Sequence, residues 1–213
     1  MEISMYINRY KHVRYNFFKW RYQLEFYHKL ILAVSFACIT GILAQVRFYL
    51  PGSPVPLTAQ TFAVLLSAVI LGKWWGGISQ SIYLGVGLVG VPWFAGMNGG
   101  LAYFMGPTGG YLIGFIIAAF FLGYCIDSYK KSRTYWMMFA LMLFTNFGIV
   151  FGFGLLQLYG WFSITGTPVD LISLLLMGFI PFIIGDTIKI AIAAGIANSI
   201  TPKEAYANEI DAI

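Results

Sequence analysis

Long apolar runs, separated by short polar or Gly- and Pro-rich breaks, organise the chain. The first runs from about Leu30 to Val46 and gives way to RFYLPGSPVPLTAQ, a loop punctuated by Pro51, Pro54 and Pro56. Apolar residues resume at Leu57 and continue to Leu71, and Lys73 then marks a turn. No Asp, Glu, Lys or Arg occurs in the 53 residues from Trp74 to Ile126. A span needs about 20 residues, so this stretch is predicted to cross a membrane twice, over about 75–91 and 108–126. The return falls where Gly and Pro crowd, in VPWFAGMNGGLAYFMGPTGGY. After the aqueous loop DSYKKSR, a second uncharged run from 134 to 169 predicts a fifth span at about 135–158. Residues 171–179 read as a short helix skimming the surface. Pro181 suits a helix start, and a sixth span is expected from about Phe182 to Ser199.

Composition agrees with that pattern. Of the 213 residues 59% are hydrophobic and 10% charged, against roughly 25% charged in a soluble domain; mean hydropathy is +0.77. The chain is too short for two ordinary domains and holds no segment polar enough for a nucleotide-binding or soluble catalytic domain. Three regions are expected: a basic aromatic segment over 1–29, a membrane domain over 30–200 and a polar cytoplasmic tail over 201–213. The first mixes Arg9, Lys11, Arg14, Lys19, Arg21 and Lys29 with many aromatics. It lacks the apolar core and cleavage site of a signal peptide, and reads as an in-plane helix or arm at the membrane interface. Six spans place both termini on one side. The Lys and Arg bias makes that side cytoplasmic, with only Arg47 opposite. The net charge of +5 suits anionic lipid headgroups rather than nucleic acid. Cys38 and Cys125 read as small buried hydrophobes, and no metal-ligand spacing, GxxxxGK[ST], GxSxG or HExxH pattern is present.

The candidate chemistry lies in IPFIIGDTIKIAI, where Asp186 and Lys189 interrupt a run otherwise fit for lipid. Each charge at a helix centre costs roughly 2.5–3.5 kcal/mol on insertion scales. Three residues apart, the two share one helix face, which is expected to point into the protein. Three readings stand: a neutralising pair that locks helices together, a polar floor for a ligand, and a proton relay, weakened by the lack of titratable partners. A group presenting both N–H and C=O, such as a urea, would satisfy an acid that accepts and a lysine that donates. Counting spans brings Thr58, Gln60, Thr61, Trp93, Asn98, Gly99, Gly100, Thr108 and Tyr111 to the same end. Trp93 reads equally as an interface anchor and Asn98 as a turn residue. Ala33, Ala37 and Gly41, four apart on the first span, form a small-residue stripe suited to close packing, either within the chain or onto a second membrane subunit.

VPLTAQT (55–61), GVPWFAGMNGG (90–100), GPTGGYLIGF (106–115) and PFIIGDTIK (181–189) together resemble the BioY family, the biotin-specific S components of energy-coupling factor (ECF) transporters. The likeness is collinear from about residue 30 to residue 200. It implies an all-α, six-helix S-component fold in a prokaryotic cell membrane, with the pocket near the outer face. It implies that Asp186 and Lys189 hold the ureido ring of biotin and that Trp93 packs on the bicycle. Asn98 and the Gly99 and Gly100 amides would receive the carboxylate, and Gln60 and Tyr111 match motif positions. Ala33 and Ala37 match the stripe by which S components dock to the transmembrane T component. Expected partners are thus biotin, membrane lipids, a T component and two ATPase subunits that hydrolyse ATP. No cofactor, metal or covalent chemistry is expected on this chain. The reverse pose, with Lys189 on the carboxylate, stays open, as do another vitamin, a stand-alone secondary transporter and an intramembrane enzyme using Asp186.

Overall fold

The structure, a computed structural model, describes the backbone of residues 2–206 and 209–211 and the side chains from Met5 onward. Helix α1 (Glu2–Gln23) and α2 (Phe26–Gln45) lead into a short antiparallel pair, β1 (Arg47–Phe48) and β2 (Leu57–Thr58). Then follow α3 (Gln60–Leu88), α4 (Gly100–Phe104), α5 (Gly109–Ser128) and α6 (Tyr135–Leu143). A π-helical segment, Phe144–Val150, carries α6 into α7 (Phe151–Ile164), and α8 (Leu171–Gly178) and α9 (Ile183–Ile200) close the chain. Among the described residues the small β pair departs from the predicted all-helical plan, and α4 is a short helix where a loop was expected. Pro181 lies in a short 3-10 turn, Ile180–Phe182, that leads into α9 as predicted. Asp170 caps α8 by accepting from the Ile172 and Ser173 amides.

Among the described residues, five helical stretches are long and apolar enough to cross a membrane: Phe26–Gln45, Gln60–Leu88, Gly109–Ser128, Tyr135–Ile164 and Leu171–Ile200. The second is not a straight rod. Gly72, at φ 83° and ψ −173°, adopts a conformation that is essentially reserved for glycine. The arms on either side, 60–71 and 73–88, fold back on each other. Gln80 Nε2 donates to Ser67 Oγ at 3.1 Å and Gln60 Nε2 to the Tyr83 hydroxyl at 2.6 Å. A continuous helix would hold those pairs about 20 and 35 Å apart. The expected turn beside Lys73 is therefore a reversal, hidden inside one helical stretch.

Two charged side chains secure the reversal. Arg21 of α1 donates to the Val69 and Ile70 carbonyls at 3.2 and 3.3 Å, the open C-terminal end of the first arm. Asp127 Oδ2 accepts from the Lys73 amide at 2.9 Å, at the N-terminal end of the second. Each charge has the sign its helix end favours. Arg21 and Asp127 also pair directly at 2.7 Å. Tyr206 accepts from Arg21 at 2.9 Å and donates to Asp127 at 2.7 Å; burial pushes its phenol well above the ordinary range, which keeps the donor proton in place.

The segments expected to be peripheral belong to this assembly. In α1, Phe18 is fully buried and packs on Tyr206, and the Tyr10 hydroxyl donates to the Ser199 carbonyl. The C-terminal residues turn back across the loop after α5. Ile210 donates to the Ser128 carbonyl, Asp211 accepts from the Lys131 amide, and Arg133 pairs with Glu209 at 2.7 Å with both side chains fully buried. Elsewhere α5 is the central helix, packed against α3, α7 and the π segment.

Gly72→Ala is expected to lower unfolding stability by about 1–3 kcal/mol, because its Cβ would lie 2.2 Å from Asp127 Oδ2. Gly85→Ala, with nothing within 4 Å of its Cβ, is expected to be neutral. Thermal melting in detergent compares them; equal melting would mean the reversal needs no glycine.

Candidate functional site

The start of α9 turns Asp186 and Lys189 inward, as their cost in lipid requires. Asp186 is 2% exposed. Its Oδ1 meets the Lys189 ammonium in an i,i+3 ion pair, and its Oδ2 accepts from Asn146 Nδ2 at 2.8 Å. Lys189 Nζ also donates to the Thr58 carbonyl at 2.7 Å and to Thr61 Oγ1 at 3.0 Å. Three acceptors match the three protons of an ammonium. The pair therefore ties α9 to β2, to the first arm of α3 and to the π segment, and is also poised at a cavity.

That cavity encloses 50 Å3 and is lined by Asp186, Lys189, Gln60, Thr61, Tyr111 and apolar side chains that include Phe115, Val150, Phe151 and Phe182. An outer cavity of 350 Å3, beside Tyr49 and Pro107, shares Pro56, Tyr103 and Thr108 with it. The inner chamber is small beside the roughly 300–1,000 Å3 of ordinary ligand pockets.

Of the residues singled out from sequence, Asp186, Lys189, Thr58, Gln60, Thr61, Thr108 and Tyr111 come together here. Gln60 and Tyr111, like the ion pair, are also tied into the fold. Gln60 accepts from Thr58 Oγ1 and donates to Tyr83, and the Tyr111 hydroxyl donates to the Gly178 carbonyl at 2.8 Å. Trp93, Asn98, Gly99 and Gly100 do not line the chamber, though Ala95 on the same loop does. The Trp93 indole donates to the Tyr83 carbonyl and rests on Gly41, while Asn98 Nδ2 donates to the Ala95 carbonyl.

The Ala33, Ala37 and Gly41 stripe is buried within the chain: Ala33 and Ala37 have no exposure, and Trp93 covers Gly41. Its small side chains let α2 approach α3, in keeping with the packing reading of the stripe. The expectation that both cysteines are buried needs correction: Cys38 is exposed and Cys125 half-buried.

Asn146 went unnoticed in the sequence. Its signal was an amide, one of two with Gln157, in a long uncharged and mostly apolar span, where an unpaired polar group is costly. The π-helical turn that carries it is of a kind often found at functional sites. Among the described residues, no cluster of three or more His, Cys, Asp or Glu is placed to hold a metal ion.

A sequence model of the BioY family matches residues 14–205. The chain belongs to the BioY family. The match opens inside α1 and so takes in part of the N-terminal segment. The probable biotin transporter BioY of Methanothermobacter thermautotrophicus is 49% identical over 147 residues, 68% of this chain and 94% of that protein. The biotin transporter BioY of Thermotoga maritima is 38% identical over 169 residues, 79% of this chain and 93% of that protein. Among solved structures, the S-component for biotin from an ECF-type ABC transporter superposes with a TM-score of 0.70 at 26% identity, covering 80% of this chain and 89% of that one. Membership and the apolar helices make this a multi-pass prokaryotic membrane protein with an S-component fold.

Asn146→Leu is expected to cost about 1–3 kcal/mol of stability by stripping a buried donor from the Asp186 carboxylate. In an Asp186→Leu, Lys189→Leu background the same change is expected to cost little, since no buried charge remains. Equal costs in both backgrounds, measured by unfolding in detergent, would mean that Asn146 acts through packing alone.

Proposed function

We propose that the chain is the biotin-binding S component of an ECF transporter, and that Asp186 and Lys189 form the floor of its pocket. The observation that carries this is a buried ion pair lining an otherwise largely apolar cavity, in a member of the BioY family. The ureido group of biotin offers N–H donors and a carbonyl. Asp186 accepts an N–H, while Lys189 gives the carbonyl one proton now spent on Thr58 or Thr61. Asn146 holds the second carboxylate oxygen in place. Phe115, Phe151 and Phe182 pack on the bicycle and tail. Asp186 disfavours the reverse pose, because a ligand carboxylate on Lys189 would meet a like charge at close range. The far end of the ligand points toward the outer cavity; Asn98 and the Gly99 and Gly100 amides, which line neither cavity, are assigned to its carboxylate on the family resemblance alone. Trp93 is assigned to shaping that loop rather than to ligand contact.

In this reading the chain crosses the membrane six times, through α2, the two arms of α3, α5, the α6–α7 stretch and α9. The basic N-terminal segment 1–29, the membrane domain 30–200 and the tail 201–213 act as one unit. One end collects α1, Lys29, Lys73, Lys130, Lys131, Arg133 and Lys203, whereas Arg47 is the cation of the other. That asymmetry supports cytoplasmic termini. Biotin enters from outside, and ATP hydrolysis on two partner ATPases, relayed through a T component, releases it inside. The chain works without a cofactor of its own and performs no covalent chemistry.

Equilibrium binding of biotin to the purified chain tests the pocket. Asp186→Asn and Lys189→Met are each expected to weaken binding about 10- to 100-fold, the worth of a charge-assisted hydrogen bond. Binding that survives both would make the pair structural, and a folded parent that ignores biotin would point to another vitamin. In liposomes, biotin uptake is expected only when the T component, the ATPases and ATP are also supplied. Uptake by this chain alone under an ion gradient would establish a secondary transporter instead.

A further inference from the structure

A second site lies at the end of the molecule that gathers α1, the α3 reversal and the C-terminal residues. A cavity of 530 Å3 opens beside Arg21, Lys29, Lys73, Trp74, Trp75 and Asp127. Three cations face one carboxylate there, leaving two positive charges in excess, and Arg21 already neutralises Asp127 at 2.7 Å. Neither Lys29 nor Lys73 forms an ion pair among the described residues. The Lys29 ammonium donates to the Tyr22 carbonyl, and the Lys73 ammonium sits 5.5 Å from the ring centroids of both Trp74 and Tyr124. A second cavity of 350 Å3 shares Lys73 and Trp74 with the first and continues along Phe120 and Tyr124. Apart from Lys73 its lining is aromatic. It runs along the outside of the second arm of α3 and α5, both long and apolar enough to lie in a bilayer.

From this juxtaposition we infer that the chain holds one anionic glycerophospholipid, its phosphodiester between Lys29 and Lys73 and an acyl chain in the groove beside Trp74 and Phe120. The head of such a lipid meets the excess positive charge, as basic clusters at a membrane surface do. Its hydrocarbon meets the aromatic groove, with Trp74, 62% exposed, at the boundary where tryptophan is favoured. A free phosphate or an acidic peptide would use the cations and leave the groove unfilled. The inference does not rest on the identity of the transported vitamin.

Native mass spectrometry of the full chain in nonionic detergent, titrated with dioleoyl phosphatidylglycerol or dioleoyl phosphatidylcholine, tests it. The anionic lipid is expected to be retained about tenfold or more over the zwitterionic one. Lys29→Gln with Lys73→Gln is expected to abolish that preference, while Lys29→Arg with Lys73→Arg keeps it. Lys130→Gln with Lys131→Gln, the same loss of charge elsewhere at this end, is expected to leave it intact, and glycerol 1-phosphate is expected not to displace the lipid. Melting temperatures confirm that each variant is folded, and the arginine pair preserves the charge if the glutamine pair is not. Equal retention of the two lipids, equal loss in the Lys130 and Lys131 variant, or displacement by glycerol 1-phosphate would each overturn the site.

Discussion

Hydrocarbon offers no hydrogen bonds, so every polar group carried into a membrane must find its partner inside the chain. That constraint organises much of this structure, although Ser79 Oγ, Gln80 Oε1 and Asn146 Oδ1 are buried without a hydrogen-bond partner among the described residues. Asp186 and Lys189 are satisfied by each other and by Asn146, Thr58 and Thr61. Gln60 is held by Thr58 and Tyr83, and Gln80 donates to Thr40 and Ser67. Together these form a polar seam between α2, α3, α9 and the π segment. Any group inserted into such a seam would have to replace the bonds it breaks, because an unmatched buried group is left unpaired at a cost.

The two ends of the molecule are built differently. At one, Arg21, Asp127, Tyr206, Arg133 and Glu209 cross-link α1, the α3 reversal, the loop after α5 and the C-terminal residues. Buried, charge-assisted contacts of this kind hold their elements in one arrangement. At the other, the β1–β2 connection, the loop after α3 and α4 surround the inner and outer cavities with turns and side chains. Most of the hydrogen bonds there run from side chains to loop carbonyls, such as Gln45 to Trp93 and Phe94 and Gln157 to Phe104 and Gly106.

Much was legible in the sequence because membrane insertion writes it there. Uninterrupted apolar runs of span length, their breaks at Pro51–Pro56, Lys73 and DSYKKSR, and the helix start at Pro181 all follow from local chemistry. The inward turn of Asp186 and Lys189 was equally legible, because charge in lipid has few alternatives. The sequence by itself thus determined the class of protein, the main apolar helices and the buried ion pair of the candidate site.

Only the tertiary structure decided which residues that pair would meet. Asn146 lies 40 residues before Asp186, and nothing local to either predicts the bond. The same holds for Trp93, whose ring went to Gly41 and Tyr83, and for the Ala33, Ala37 and Gly41 stripe, which small size suits to any close neighbour. The roles of Arg21 and Asp127 depend on a reversal at Gly72 that brings two helix ends within reach of them. Local periodicity reports that a face is apolar or that a charge must be paired. It carries no information about which distant segment supplies the partner, because that is set by how the helices pack in three dimensions.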